Sequence, residues 1–201
     1  MARTKEQNER MRESTRQRIF DAAIPLFSEK GFAQTTIRDI ARKAGMSNGL
    51  LYQHFATKDE IFGCIIEDGV KGLDDAAEEL LALPCPKEAF THFVKFMYDD
   101  LLKDDNLSGL RGIVAQQIFM DQELPWIKTM LKTNLRFIDA MSTIVKRGQK
   151  ADLFNDGDPR AIVMHTIAQI NGAYIIKRAY GKDYKPPTFK MLTEFVFKGE
   201  V

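Results

Sequence analysis

The stretch TTIRDIARKAGMSNGLLYQHFATK, Thr35–Lys58, decides the fold, because it reads as two short helices held at a sharp angle by a tight turn. Thr36 can N-cap a helix with Asp39 at its N3 position, and Ile37, Ile40, Ala41 and Ala44 then recur on one face. Gly45 stops that helix, Met46 plugs the turn, and Ser47 N-caps a second helix predicted to run through Phe55. Within it Leu51 and Phe55, four apart, face inward with Met46, which turns Asn48, Gly49, Tyr52 and Gln53 to solvent. An amide able to pair bidentately with adenine, a glycine allowing close approach and a phenolic hydroxyl within reach of phosphate suit a major groove.

On the N-terminal side of this stretch a helix is predicted from about Glu9 to Lys30, with Ile19, Phe20, Ala23, Leu26 and Phe27 as its buried stripe and Gly31 as its cap. Pro25 inside it removes one backbone hydrogen bond at a cost of about 3 kcal/mol, so a kink or bulge is expected there. On the other side Thr57 opens a further helix as the N-cap of a capping box, T-K-D-E with Glu60 at N3, which reaches Leu83 before Pro84 and Pro86. Gly69 and Gly72 weaken its middle by about 1 kcal/mol each relative to Ala, which favours flexure there. Helices are then predicted at Pro86–Lys103, about Leu107–Phe119, Pro125–Gln149, Pro159–Tyr180 and Pro187–Lys198, with no useful β alternation. The expected fold is all-α: a three-helix, helix-turn-helix DNA-binding domain over residues 1–60 and a larger helical domain over 61–201.

From about Arg16 to Cys64 the chain resembles the DNA-binding domain of the TetR family of bacterial transcriptional regulators. The residues that carry the likeness are R-x-R-I-F-D-A-A-x-x-L-F, E-K-G-F-x-x-T-T-I-R-D-I-A, K-A-G-M-S-N-G-L-L-Y-Q-H-F and T-K-D-E-I-F. Asn48 and Leu50 depart from the family, which commonly has Lys at the first position and a small residue or Thr at the second. DNA contacts are expected from Thr36, Arg38, Ser47, Asn48, Gly49, Leu50, Tyr52, Gln53, His54 and Lys58. Among them Gln53 and Asn48 read base edges, Tyr52, His54 and Lys58 hold phosphates, and the Ser47 and Thr36 hydroxyls face the backbone. The resemblance further implies a homodimer on a near-palindromic operator, with the Thr57 helix linking the DNA-reading part to the regulatory part.

Two C-terminal stretches are too apolar for ordinary amphipathic helices: AIVMHTIAQINGAYII, from Ala161 to Ile176, and the last helix with Phe189, Met191, Leu192, Phe195, Val196 and Phe197. The resemblance makes them counterparts of a four-helix dimer interface, with Ile170, Tyr174, Phe189, Leu192, Phe195 and Val196 at the seam. Between them and the N-terminal domain, soft and aromatic side chains crowd together. Such stripes more often fill a core than a ligand box, yet amides on largely apolar helices favour a cavity. Phe93, Met97, Gln116, Phe119, Met120, Trp126, Phe137, Met141, His165 and Gln169 are the expected lining of a pocket for a small apolar or amphipathic effector.

Composition narrows the class without naming a partner. The 201 residues are 44% hydrophobic and 28% charged, which fits a soluble globular protein. The first eighteen residues are polar and Arg-rich, so no signal peptide is expected; no membrane-spanning run appears, and two isolated cysteines, Cys64 and Cys85, fit a reducing cytoplasm. Net charge is +1, with eleven Lys and Arg against eight Asp and Glu in residues 1–60. The basic N-terminal stretch is either an arm along a DNA backbone or a solvated terminus. His54, His92 and His165 are isolated, no P-loop, G-x-S-x-G or G-x-G-x-x-G occurs, and the pairs Asp99-Asp100 and Asp104-Asp105 read as solvated helix ends. No catalytic residue, metal ligand or cofactor is therefore expected. The competing class is a helical small-molecule-binding protein whose helix-turn-helix no longer reads DNA.

Overall fold

The computed structural model describes residues 5–103, 107–120 and 123–199, and the side chains at 107–109, 116, 117, 119 and 120 lie outside that description. The helices are α1 (Lys5–Lys30), α2 (Ile37–Lys43), α3 (Asn48–Tyr52), α4 (Lys58–Ala82), α5 (Pro86–Leu102), α6 (Leu107–Met120), α7 (Pro125–Lys150), α8 (Pro159–Tyr180) and α9 (Phe189–Thr193), with a 3₁₀ turn at Gly181–Asp183. Among the described residues there is no named strand, only one antiparallel bridge between Phe154 and Phe197. The all-α expectation is therefore met, and no helix among the described residues is long and apolar enough to cross a membrane.

Local signals set most boundaries. Gly31 has φ +81° and returns its N–H to Phe27 O at 2.9 Å, closing α1 as a residue without Cβ allows. Helix α1 is already formed at Lys5, the first described residue, ahead of the expected Glu9, and continues through Pro25, so the basic stretch from Lys5 onward is helix and not an extended arm. Glu60 N–H does bond Thr57 Oγ1 (3.1 Å), but the Glu60 carboxylate reaches back to the N–H of Ala56, one residue beyond the expected capping-box partner.

The helix predicted at Pro187–Lys198 is corrected to five residues. After Thr193 the chain turns, Asn155 N–H bonds Val196 O (2.8 Å), and Lys198 N–H bonds Leu153 O (2.9 Å). This extended tail lets Phe197 pack edge-on against Phe90 and Phe154, with ring centroids 6.0 and 5.2 Å apart. Burial of that ring outweighs the few further helical hydrogen bonds the tail would otherwise make.

Two apolar clusters organise the packing. The first joins α1, α2, α3 and the start of α4 through Ile19, Phe27, Ile40, Leu51, Phe55 and Phe62, and also takes in Leu110 and Ile113 of α6 and Trp126 and Ile127 of α7. The second lies among α5, α7, α8 and the C-terminal tail around Phe90, Phe93, Phe137, Met141, Phe154, Ile170 and Tyr174. Helix α4 runs through both, and its main packing partner is α7.

Candidate nucleic-acid interface

The helix-turn-helix is built by residues whose local preferences agree. The Thr36 Oγ1 accepts the Asp39 N–H at 3.2 Å, and Asp39 Oδ2 accepts the Thr36 N–H at 3.2 Å and its hydroxyl at 2.8 Å, a complete capping box. Those bonds from Thr36 hold the Asp39 carboxyl below its usual range. Gly45 at φ +65° ends α2, Met46 N–H bonds Ala41 O (3.0 Å), and Ser47 Oγ accepts the Leu50 N–H at 3.2 Å to start α3. From α1, Arg18 donates to Ala44 O at 2.8 Å and pins the end of α2.

These constraints fix which side of α3 is presented. Leu51 and Phe55 are fully buried, whereas Asn48, Gly49, Leu50, Tyr52 and Gln53 are exposed, Tyr52 at 55%. A Cβ added at Gly49 would meet nothing within 4 Å, so the fold itself leaves that space open to an incoming surface. Arg38 is exposed on α2, and the Ser47 hydroxyl, which accepts in its cap, keeps a proton to donate. Thr36 differs: its hydroxyl proton is directed to Asp39, so the expected contact of that hydroxyl with a DNA backbone is corrected to a capping role.

Lys58 is the larger correction. Its ammonium faces inward and donates to Phe32 O (2.7 Å), Ala33 O (3.2 Å) and Thr35 O (3.1 Å), with the Phe32 ring centroid 4.6 Å away. An ammonium has three N–H groups, and here each has a carbonyl. The opposite change occurs around His54, which is half-buried beside Arg12 and Arg16 of α1. Burial first, then the charges of Arg12 and Arg16, lower the imidazole's pKa, so it is neutral at pH 7. The Arg16 guanidinium lies over the rings of Phe20 and Phe55, at 5.4 and 5.2 Å. Arg12 and Arg16 were legible in the sequence only as part of a basic stretch; their spacing of four on a continuous α1 is the signal that groups them beside His54.

The expected effector-pocket residues separate into different neighbourhoods. Phe93, Met97, Phe137 and Met141 come together in the second cluster, with the Phe93 and Phe137 rings 5.3 Å apart. Trp126 is corrected to the first cluster, where it stacks edge-on against Phe62 at 5.4 Å and covers Gly63 so closely that a Cβ there would lie 2.8 Å from its ring. His165 is exposed on α8, where its ring meets Phe195 at 4.7 Å and Gln169 Nε2 at 3.0 Å. Gln116, Phe119 and Met120 fall among the side chains outside the description.

A polar group in the second cluster escaped sequence reading. Asp100 is buried, not solvated as its pairing with Asp99 suggested; it accepts the Tyr174 hydroxyl at 2.6 Å and faces Arg111 at 3.5 Å. The Arg111 guanidinium sits 4.3 Å from the Tyr174 ring and donates to Asn171 Oδ1 at 3.3 Å.

The expected dimer seam also needs correction. Ile170, Tyr174, Leu192 and Val196 are buried inside the chain's own second cluster, while Phe189 and Phe195 are half-buried against Tyr98 and His165. The large apolar side chains that α8 leaves exposed are Met164, Ile175, Ile176 and Tyr180, with Ala168 exposed between them and Met191 exposed on α9.

Comparison with known proteins agrees with this geometry. Residues 19–64 match the family described as bacterial regulatory proteins, tetR family. The chain is 43% identical over 56 residues to a transcriptional repressor of Mycobacterium tuberculosis strain H37Rv, covering 28% of this chain and 30% of that one. It is 31% identical over 119 residues to the transcriptional regulator UidR of Escherichia coli K12, covering 59% and 57%. The matched part thus spans about a third to a little over half the length of these relatives. Among solved structures, a transcriptional regulator from Saccharomonospora viridis in complex with choline superposes with a TM-score of 0.75 at 21% identity, over 93% of this chain and all of that one. A complex of SmeT with triclosan gives 0.71 at 22% identity, over 92% of each.

Proposed function

We propose that this chain, which belongs to the TetR family of bacterial regulatory proteins, is a homodimeric, DNA-binding transcriptional repressor that a small apolar or amphipathic effector releases from a near-palindromic operator. The observation that carries the DNA half is the division of α3 into a buried side, Leu51 with Phe55 behind it, and an exposed side of Asn48, Gly49, Tyr52 and Gln53. Asn48 and Gln53 read base edges, Leu50 offers apolar contact to a thymine methyl, and Gly49 lets the backbone come close. Tyr52, Ser47, Arg38 and His54 hold phosphates, with Arg12 and Arg16 adding positive charge beside His54.

Two copies meet through the exposed stripe of α8, Met164, Ala168 and Ile175 at helical spacing, with Ile176 and Met191 at its border. A two-fold axis there sets the two α3 helices for successive major grooves, about 34–36 Å apart or a multiple of that. The effector site lies in the second cluster, where Phe93, Met97, Phe137 and Met141 supply apolar lining and Asp100, Arg111 and Tyr174 the polar handle. The choline and triclosan bound by the two structural neighbours support small-molecule binding within this fold and not a particular ligand.

The decisive experiment is selection of duplexes from a random pool on the purified protein, followed by footprinting on the selected site across a salt series. A discrete, two-fold symmetric footprint whose affinity falls steeply with salt is expected. Enrichment of no sequence and absence of salt-dependent duplex binding would leave instead a helical small-molecule-binding protein.

A further inference from the structure

The first residue of α4 presents a puzzle. A cation at the N-terminal end of a helix sits at the positive end of the helix dipole, so local electrostatics drive a lysine there outward, to water or to a phosphate. Lys58 does the reverse. Its side chain folds back across 23–26 residues of chain and places its ammonium against the carbonyls of Phe32, Ala33 and Thr35, at 2.7, 3.2 and 3.1 Å. All three N–H groups are matched, and the Phe32 ring lies 4.6 Å away for a further cation–π contact.

The segment so gripped is the lead-in to the helix-turn-helix. Thr35 is buried, and its hydroxyl is within hydrogen-bonding distance of Gly31 O (2.8 Å) and Leu26 O (3.2 Å); the next residue, Thr36, caps α2. Lys58 therefore ties the first turn of α4 to the point from which α2 and α3 set out. One turn further along the same face of α4, Phe62 packs on Phe32 at 5.3 Å and on Trp126 of α7 at 5.4 Å. The latch is thus backed by an aromatic column reaching into α7, where Gly63 lets Trp126 lie directly against the α4 backbone.

We infer that Lys58 is a positioning residue for DNA recognition, fixing the angle of α2–α3 against α4, and that it is not a phosphate contact. This rests on the proposed DNA-binding function. A phosphate could claim the ammonium only by breaking three hydrogen bonds to carbonyls that would then need other donors. Arginine cannot substitute: its planar fork spreads its donors, whereas the three carbonyls converge on one compact centre.

The test uses the full-length protein and the duplex selected on it, with Lys58→Met and Lys58→Arg compared with the parent by fluorescence anisotropy from 50 to 200 mM KCl, well below melting. Positioning predicts that both variants lose about tenfold in affinity or more at every salt concentration, with plots of log affinity against log salt parallel to the parent's. A phosphate contact predicts that Lys58→Met shallows the slope by about 0.9 per subunit, about 1.8 per dimer, and that Lys58→Arg binds like the parent; that result overturns the inference. Unchanged affinity in both variants with a lowered melting temperature reduces Lys58 to a staple of the fold, and also overturns it. If the variants do not fold, the Lys58 ammonium is followed by NMR in the unaltered protein. A slowly exchanging signal present without DNA and unshifted by it supports the latch, and one that appears only on adding duplex refutes it. Failure of the DNA-binding function is distinguishable, because the parent itself then selects no duplex.

Discussion

Adding one methyl group at Gly148 should cost the protein about 2 kcal/mol, although the same change at Gly69 should stabilise it. Both glycines lie inside long helices, α7 and α4, where Ala is favoured over Gly by about 1 kcal/mol. They differ in what the new carbon meets. At Gly148 it would lie 2.5, 2.6 and 2.7 Å from three ring atoms of Phe154, and at Gly69 it meets nothing within 4 Å. The Phe154 ring cannot swing away: it is fully buried, with Phe90 and Phe197 centroids 5.7 and 5.2 Å from its own. Overpacking of that severity costs about 3 kcal/mol, from which the helix gain of about 1 kcal/mol is subtracted. Urea unfolding of Gly148→Ala at fixed protein concentration should show a net loss of about 2 kcal/mol, or a melting point lower by about 4–8 °C, while Gly69→Ala gains up to about 1 kcal/mol. If Gly148→Ala were as stable as Gly69→Ala, the close contact between α7 and Phe154 of the connection to α8 would be wrong.

Three further outcomes follow from the site. Ile175→Asp and Met164→Asp should yield folded monomers by sedimentation and lose duplex binding together, whereas Ile170→Asp, which forces a charge into the second cluster, should unfold; folded dimers carrying Ile175→Asp would move the seam elsewhere. Gln53→Ala should relax preference at one or two base pairs by about 1–3 kcal/mol without changing the salt slope, and an unaltered selected sequence would remove Gln53 from base reading. His54 starts with a lowered pKa, and a phosphate raises it, so binding takes up a proton: duplex affinity should rise as pH falls from 8 towards 6 and flatten once the free protein is itself protonated. The same lowered pKa means that the free protein loses stability as pH falls through the unfolded imidazole's value near 6.5, so affinity is measured where the protein remains folded; His54→Gln should abolish the rise, and persistence of the rise in that variant would exclude His54 as its source.

What could be read from the chain, and what could not, follows from the range over which each signal acts. The Thr36–Asp39 capping box, the Ser47 cap and the left-handed glycines at 31 and 45 each involve partners within five residues, and all appear where the sequence puts them. The burial of Leu51 and Phe55 follows from the same short spacing. Helix α8 is different, because a helix apolar on nearly every side has no phase to read. Ile170 and Tyr174 looked as suitable for a seam as Met164 and Ile175, and only packing against α5 and α7 separates the two sets. Asp100 is legible only with Tyr174, its hydrogen-bond partner 74 residues away. The inward turn of Lys58 likewise depends on carbonyls 23–26 residues upstream, against the outward preference that its own helix dictates.

These long-range ties also decide how a change in one half of the molecule reaches the other. The first cluster does not end with the helix-turn-helix: α6 and the start of α7 contribute Leu110, Ile113, Trp126 and Ile127 to it, and Arg178 of α8 donates to Ser28 O of α1 at 2.8 Å. On α4 the side chains of Ile65, Ile66 and Val70 belong to the first cluster, and those of Leu73, Ala76 and Ala77 to the second. The helix therefore passes from one core to the other between Val70 and Leu73, and Gly72 falls in that interval with nothing within 4 Å of where its Cβ would be. Close packing does not explain a glycine there. A glycine there leaves the α4 backbone easier to bend where the two cores meet, next to Asp74, which accepts from Arg136 of α7 at 3.0 Å, while Lys58 and Phe62 tie down its N-terminal end. A repacking of the second core that tilts the later part of α4 is thus met by a stiff end at Lys58 and a yielding middle at Gly72. How much of the tilt reaches α3 depends on the ratio of those two stiffnesses.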